Sequence, residues 1–149
     1  FVNEALAQVA LVAKELGLAV VQLHGDEDDS YLHQLRELLP KSVHIWKAYR
    51  VKDRLPQFSR FADRILLDSF TSSIPGGTGL KFDWSLLQQQ LLQKPVMLAG
   101  GLTPDNLTAA LPLAVAGLDM NSGLESAPGV KDPAKIALAF QQIREFSYD

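Results

Sequence analysis

The chain has 149 residues, of which 47% are apolar, 21% charged and 8% aromatic, values that fit one globular domain with a core and exclude a disordered or low-complexity chain. Fourteen Lys and Arg against seventeen Asp and Glu leave a formal charge of −3, so no basic surplus points to nucleic acid or a polybasic membrane contact. Zero cysteines exclude disulfides, thiolate metal sites and a thiol nucleophile within these residues.

Asn3 reads as the N-cap of a first helix, with apolar residues at Leu6, Val9, Ala10, Ala13 and Leu16 and a stop at Gly17. Residues 18–23 are too short and too branched for a helix and read as a buried strand closed by His24 and Gly25. Asp28 or Asp29 caps a second helix whose stripe is Tyr31, Leu32, Leu35, Leu38 and Leu39, ending at Pro40. A strand follows at 43–49. A weaker helix is expected over 51–61, where Leu55, Phe58 and Phe61 are apolar and Pro56 limits regularity. Residues 65–68 form a third strand, and 69–81 the longest loop.

Asp83 or Ser85 starts a helix carrying Leu86, Leu87, Leu91 and Leu92. Residues 95–99 are a fourth strand, ended by Gly100 and Gly101. Thr103 with Pro104 starts the next helix, faced by Leu107 and Leu111. Residues 117–121 are a fifth strand. Asp132 and Pro133 repeat the cap device before a helix burying Ile136, Ala139, Phe140 and Ile143. One helix and then five βα units predict a parallel sheet, because each helix returns the chain to the same end. A doubly wound sheet and a (β/α)8 barrel both satisfy this order. Length favours the first, since barrels use roughly 200 residues or more.

Small or polar residues end the strands: His24-Gly25, Asp68, Gly100-Gly101 and Asn121-Ser122-Gly123. In either architecture that end binds ligands. Two successive loops without Cβ atoms suit a phosphate, whose oxygens then approach backbone N–H groups, with Ser122 adding a hydroxyl; the same glycines also suit plain tight turns. Gly76-Gly-Thr-Gly79 has neither nucleotide-loop nor dinucleotide spacing, and reads as a cover over a small substrate or as simple flexibility. Asp68 closes an apolar strand in a half-dry position and is the candidate general acid, with an N-cap or salt bridge as its structural alternative. Asp119 either binds sugar hydroxyls or pairs with Lys47 in the core. Lys47 shares a face with Val43, Ile45 and Tyr49, and is an ion-pair partner, a phosphate counter-charge or a Schiff-base amine. His24 lines the functional end, whereas His33 and His44 read as structural. No set has metal-ligand spacing and no nucleophilic triad is present. No apolar run approaches the roughly 20 residues of a membrane span, and with no signal segment a cytoplasmic protein is expected.

Taken together, Val20-Val-Gln-Leu-His-Gly25, Ile45-Trp-Lys-Ala48, Leu66-Leu-Asp68, Gly76-Gly-Thr-Gly-Leu-Lys-Phe-Asp-Trp84, Leu98-Ala-Gly-Gly-Leu-Thr-Pro-Asp-Asn106, Gly117-Leu-Asp-Met-Asn-Ser-Gly-Leu-Glu125 and Pro128-Gly-Val-Lys-Asp132 resemble phosphoribosylanthranilate isomerase over essentially the whole chain. The resemblance implies a TIM (β/α)8 barrel truncated to strands 4–8 with their helices, residues 1–149 forming one partial domain and Phe1-Val-Asn3 the end of strand 3. It implies an Amadori rearrangement of N-(5-phosphoribosyl)anthranilate in tryptophan biosynthesis, without a cofactor or metal. The family's general acid falls on Asp68, its phosphate loops on Gly100, Gly101, Ser122 and Gly123, and its strand-8 carboxylate on Asp119, with His24 at the strand-4 end. The family's general-base Cys and an anthranilate-holding Arg have no counterpart here. The style is similar to the isomerase half of the bifunctional enzyme that carries an indole-glycerol-phosphate synthase domain upstream. The rival expectations are another sugar-phosphate barrel enzyme (an epimerase, or an aldolase built on Lys47) and a non-catalytic phosphate-binding piece that needs complementation.

Overall fold

The structure is a computed structural model that describes residues 1–52, 54–69, 84–88 and 94–146. The Gly76–Gly79 segment and the Leu91 and Leu92 stretch lie outside the described residues.

Five strands, β1 (Val20–Leu23), β2 (His44–Val51), β3 (Arg64–Ser69), β4 (Val96–Ala99) and β5 (Gly117–Asp119), form one parallel sheet in the order β1-β2-β3-β4-β5. The connecting helices are α1 (Leu6–Glu15), α2 (Asp29–Leu38), α3 (Ser85–Gln88), α4 (Pro104–Ala110) and α5 (Pro133–Glu145). A two-stranded antiparallel hairpin, β6 (Glu125–Ala127) and β7 (Val130–Lys131), precedes α5 and turns through Gly129 at φ +79°. No helix of the described residues is long and apolar enough to cross a membrane.

Strand parity sorts the side chains. Val21 and Leu23, Ile45 and Val51, Ile65 and Leu67, Val96 and Leu98 all pack with Val9, Ala13, Leu32, Leu35, Leu87 and Ala110 of the helices in the main core. The alternate residues Ala48, Leu66 and Ala99, with Met97 against them, form a thin apolar layer on the opposite face. Helices therefore cover one face of the sheet, and the strands follow in sequence order. A doubly wound sheet has helices on both faces and a reversal of strand order, so that alternative is excluded for the described residues. Helices on one face and strands in sequence order agree with the arrangement found in a (β/α)8 barrel.

Helix starts follow the expected chemistry in three places, and one of them is α4, with Thr103 as N-cap and Pro104 in the first turn. Asp28 accepts a hydrogen bond from Tyr31 N at 2.8 Å, and Asp132 Oδ1 accepts from Ala134 N at 2.9 Å and from Lys135 N, with Pro133 at the first turn. Other expectations fail. Asn3 is not a cap: α1 starts after Ala5, and Asn3 sits at φ +51°, its Oδ1 accepting from Asp26 N at 2.6 Å. The expected helix over 51–61 is not formed among its described residues. Instead β2 runs on to Val51, and the phenol of Tyr49 accepts from Ser59 N at 2.8 Å, holding a non-helical passage. Leu38 and Phe140, expected inside, are 55% exposed. Phe1 lies along the outer edge of β1: its nitrogen donates to Gln22 O at 2.8 Å, and His24 N donates to its carbonyl at 2.9 Å, the reciprocal pattern of a parallel ladder.

Candidate active site

The sheet face away from the helices carries a stack of side chains from bottom to top. Low on it, the Arg64 guanidinium lies 4.9 Å from the Trp46 ring centroid and 3.8 Å from Met97 Sδ. Met97 fills the space above Gly117, where a Cβ would fall 2.7 Å from its Cε. Ala48, Leu66 and Ala99 make the next layer, a dry floor. On that floor, at the C-terminal ends of the strands, stand the polar groups.

A cleft of about 450 Å³ opens there, a volume within the range of small-molecule sites. Around it lie His24 from the end of β1, Asp68 from β3, Gly100 and Gly101 after β4, Asp119 from β5, and Ser122 and Gly123 beyond. All seven residues singled out from the sequence thus meet at one place, although the first and last are separated by almost the whole sheet.

His24 and Asp68 touch. The imidazole Nε2 is 3.2 Å from Asp68 Oδ2, and both side chains are about one-third exposed (31% and 30%). β2 lies between their strands, but between Trp46 and Arg50 its residue on this face is Ala48, whose methyl leaves room for the contact. Gln22 Nε2 stands 3.5 Å from His24 Nδ1, so an amide donor there would place the ring proton on Nε2, facing the carboxylate.

The two glycine loops differ in how they are built. Gly100 and Gly101 have φ of +82° and +64°, a left-handed pair that side-chain-bearing residues rarely adopt. The bend is tied off by Asn106, which accepts from Thr103 N at 2.9 Å and donates to Gly101 O at 2.8 Å. Gly123 is glycine for a different reason: a Cβ there would fall 1.8 Å from Leu102 O. The two loops therefore pack backbone against backbone. The second loop is also held from outside, where Lys131 donates to Asn121 O at 3.0 Å and pairs with Glu125 at 2.6 Å. That contact and the Gly129 N–H hold the Glu125 carboxyl below the usual range.

Lys47 is an internal ion-pair partner, as one of its readings had it, but the expected pairing with Asp119 and the Schiff-base alternative are overturned. Lys47 is 4% exposed and does not meet Asp119; it pairs with Glu27 at 2.9 Å and donates to Gly25 O at 2.7 Å. An amine buried on the helix side of β2 and fully engaged is not a Schiff-base nucleophile, so the aldolase reading fails. Asp119 is exposed on the opposite face, at the cleft. Glu27 itself went unremarked in the sequence, where it is one acid among Asp26, Asp28 and Asp29. Burial pushes its carboxyl up, but hydrogen bonds from Lys47 and Asn3 N, with the Lys47 charge, outweigh this and hold it below 4.5. His33 packs on Phe61 at 4.8 Å and His44 lies 3.9 Å from Asp63, both away from the cleft. Among the described residues no group of three or more His, Cys, Asp and Glu converges as a metal site.

Comparison with known proteins gives one consistent set. Residues 1–142 match the family model for N-(5'-phosphoribosyl)anthranilate isomerase. The tryptophan biosynthesis protein TrpCF of Vibrio cholerae is 49% identical over 147 residues, covering 98% of this chain. The chain spans 31% of that relative's length. Among solved structures, phosphoribosyl anthranilate isomerase from Thermotoga maritima superposes with a TM-score of 0.75 at 31% identity, over 98% of this chain and 71% of that one. A further isomerase structure, solved in complex with reduced 1-(o-carboxyphenylamino)-1-deoxyribulose 5-phosphate, gives a TM-score of 0.70 at 27% identity, covering 98% and 70%.

Proposed function

This chain belongs to the N-(5'-phosphoribosyl)anthranilate isomerase family, and from that premise we propose that it forms the phosphate-holding and proton-donating part of such an isomerase. The reaction is the Amadori rearrangement of N-(5-phosphoribosyl)anthranilate to 1-(2-carboxyphenylamino)-1-deoxyribulose 5-phosphate in tryptophan biosynthesis. It needs a proton delivered to the ring oxygen as the C1′–O bond breaks, and a proton taken from C2′ of the resulting iminium. Enol-to-ketone tautomerisation then completes an isomerisation that consumes no cofactor.

The observation that carries the reading is the meeting of His24, Asp68, Asp119 and both glycine loops around one cleft at the carboxyl ends of parallel strands. In this reading Asp68 is the general acid. Gly100, Gly101, Ser122 and Gly123 receive the phosphate, where the missing Cβ atoms and the Ser122 hydroxyl suit an anion. His24 and Asp119 bind the sugar between them. The loop spacing supports a substrate with its phosphate at one end and the breaking bond near Asp68.

The five strands are strands 4–8 of a (β/α)8 barrel, and residues 1–149 are one partial domain of it. The ladder pattern at Phe1 supports an additional neighbouring strand on that edge. The family resemblance assigns the base for C2′ to a Cys on a first strand, a residue type this sequence does not contain. The relatives' TrpCF form supports an indole-glycerol-phosphate synthase domain fused upstream, in a cytoplasmic enzyme. The test is Asp68→Asn in the full-length protein, followed by loss of substrate fluorescence. Losing a positioned acid lowers kcat by roughly 10²- to 10⁴-fold, with KM little changed; wild-type turnover would overturn the acid assignment.

A further inference from the structure

The buried Lys47–Glu27 pair lies outside the cleft and takes no part in the chemistry above, yet it grips the turn that follows His24. Lys47 Nζ donates to Gly25 O at 2.7 Å, and Gly25 N donates to Glu27 Oε2 at 3.0 Å. Both backbone polar groups of the residue after His24 are thus held by the two members of one ion pair, themselves 2.9 Å apart. The other carboxylate oxygen accepts from Asn3 N at 2.8 Å, which ties in the segment lying beside β1. The pair is almost dry, with side-chain exposures of 5% and 1%, so neither partner has water to turn to. The turn also packs closely on Asn3, where a Cβ on Gly25 would fall 2.3 Å from Asn3 Oδ1.

We propose that the Lys47–Glu27 pair is a positioning device for the isomerisation, fixing the turn at Gly25 so that the His24 imidazole stands against Asp68. The inference rests on the reading of Asp68 as proton donor and extends it one step back, to what holds the donor's neighbour. Lys47 reaches this role because it points to the helix side of β2, beneath the turn, while its neighbour Ala48 faces the cleft and leaves the His24–Asp68 contact open. A lysine at this position therefore acts on the site from behind.

The test uses the full-length protein with Lys47→Met and Glu27→Gln, the second keeping the side chain's shape and an oxygen for Asn3 N–H should the first not fold. Steady-state turnover is measured beside the ¹⁵N signals of the His24 ring, assigned by their loss in His24→Gln. A misplacement of about 1 Å costs up to roughly 10²-fold, so kcat falls ten- to a hundredfold. KM for the phosphorylated substrate rises by less than kcat falls, because the glycine loops on other strands keep the phosphate while only the His24 contact with the sugar is loosened, and the His24 ring signals shift. A folded variant with wild-type kcat, or one whose kcat falls while the His24 signals stay put, overturns the proposal. Absence of isomerase turnover in the wild type would count against the functional reading instead, and the ring signals would still report whether the pair sets His24.

Discussion

Glu27 shows how much one side chain depends on a partner twenty positions away. Its carboxyl is held below 4.5 in the folded chain because Lys47 and two backbone N–H groups favour the charged form more than burial opposes it. The sign follows: the ionised carboxylate adds stability that is present above its unfolded value and is lost as pH falls through the lower folded value. In urea unfolding, the wild-type protein loses stability as pH drops below about 4.5, whereas Glu27→Gln gives a flatter curve there. At neutral pH that variant is weaker by about 3–5 kcal/mol, because the Lys47 ammonium is left buried without a counter-charge. The two curves converge at low pH; parallel curves would show that Glu27 does not titrate against the fold. This partnership was not legible in the sequence, where Glu27 stands in a run of acids. The place of Asp68 at the cleft was legible because its position at the end of an apolar strand is itself a local signal. Asn3 misled for a related reason. Asparagine is favoured both as a cap and at positive φ, and only the contact with Asp26, 23 positions on, decides between them.

At the scale of elements, the strands and the capped helices were readable because periodicity and caps act over a few residues. Residues 51–61 were not. Leu55, Phe58 and Phe61 imitate a helical stripe, but the chain there is held by the Tyr49 phenol, a long-range bond with no sequence signature. The paired glycine loops were readable as a unit, though not the reason for each glycine. Gly100 and Gly101 need left-handed backbone, while Gly123 needs the absence of any atom beside Leu102 O. Gly123→Ala therefore forces the loops apart. An overpacked contact of this kind costs about 1–3 kcal/mol, read as a lowered unfolding midpoint. On the proposed reading, in which both loops receive the phosphate, KM rises about tenfold or more. An unchanged KM would separate Gly123 from phosphate binding and leave it a packing residue.

For the whole molecule, composition and βα alternation announced a parallel sheet but could not choose its architecture. That choice depends on which face the helices cover, a property of the assembled strands. Motif order pointed to a barrel where length alone pointed away from it. The 149-residue chain expressed by itself tests the division of labour proposed above. On that proposal it carries the acid but no cysteine base, so its isomerase turnover should be roughly 10²-fold or more below that of the full-length enzyme. With parallel strands at both sheet edges, it should elute as concentration-dependent oligomers in size-exclusion chromatography. Near-normal turnover, or a sharp monomer at all concentrations, would contradict the partial-barrel assignment.

The alternation along each strand has a consequence for how this sequence tolerates length changes. Leu67 braces the helices and Asp68, one step on, faces the cleft. Removing a single residue upstream within β3 would rotate the register by one, turning a leucine toward substrate and driving a carboxylate into oil. Point changes can harm scaffold or chemistry separately; single-residue deletions in these strands harm both together.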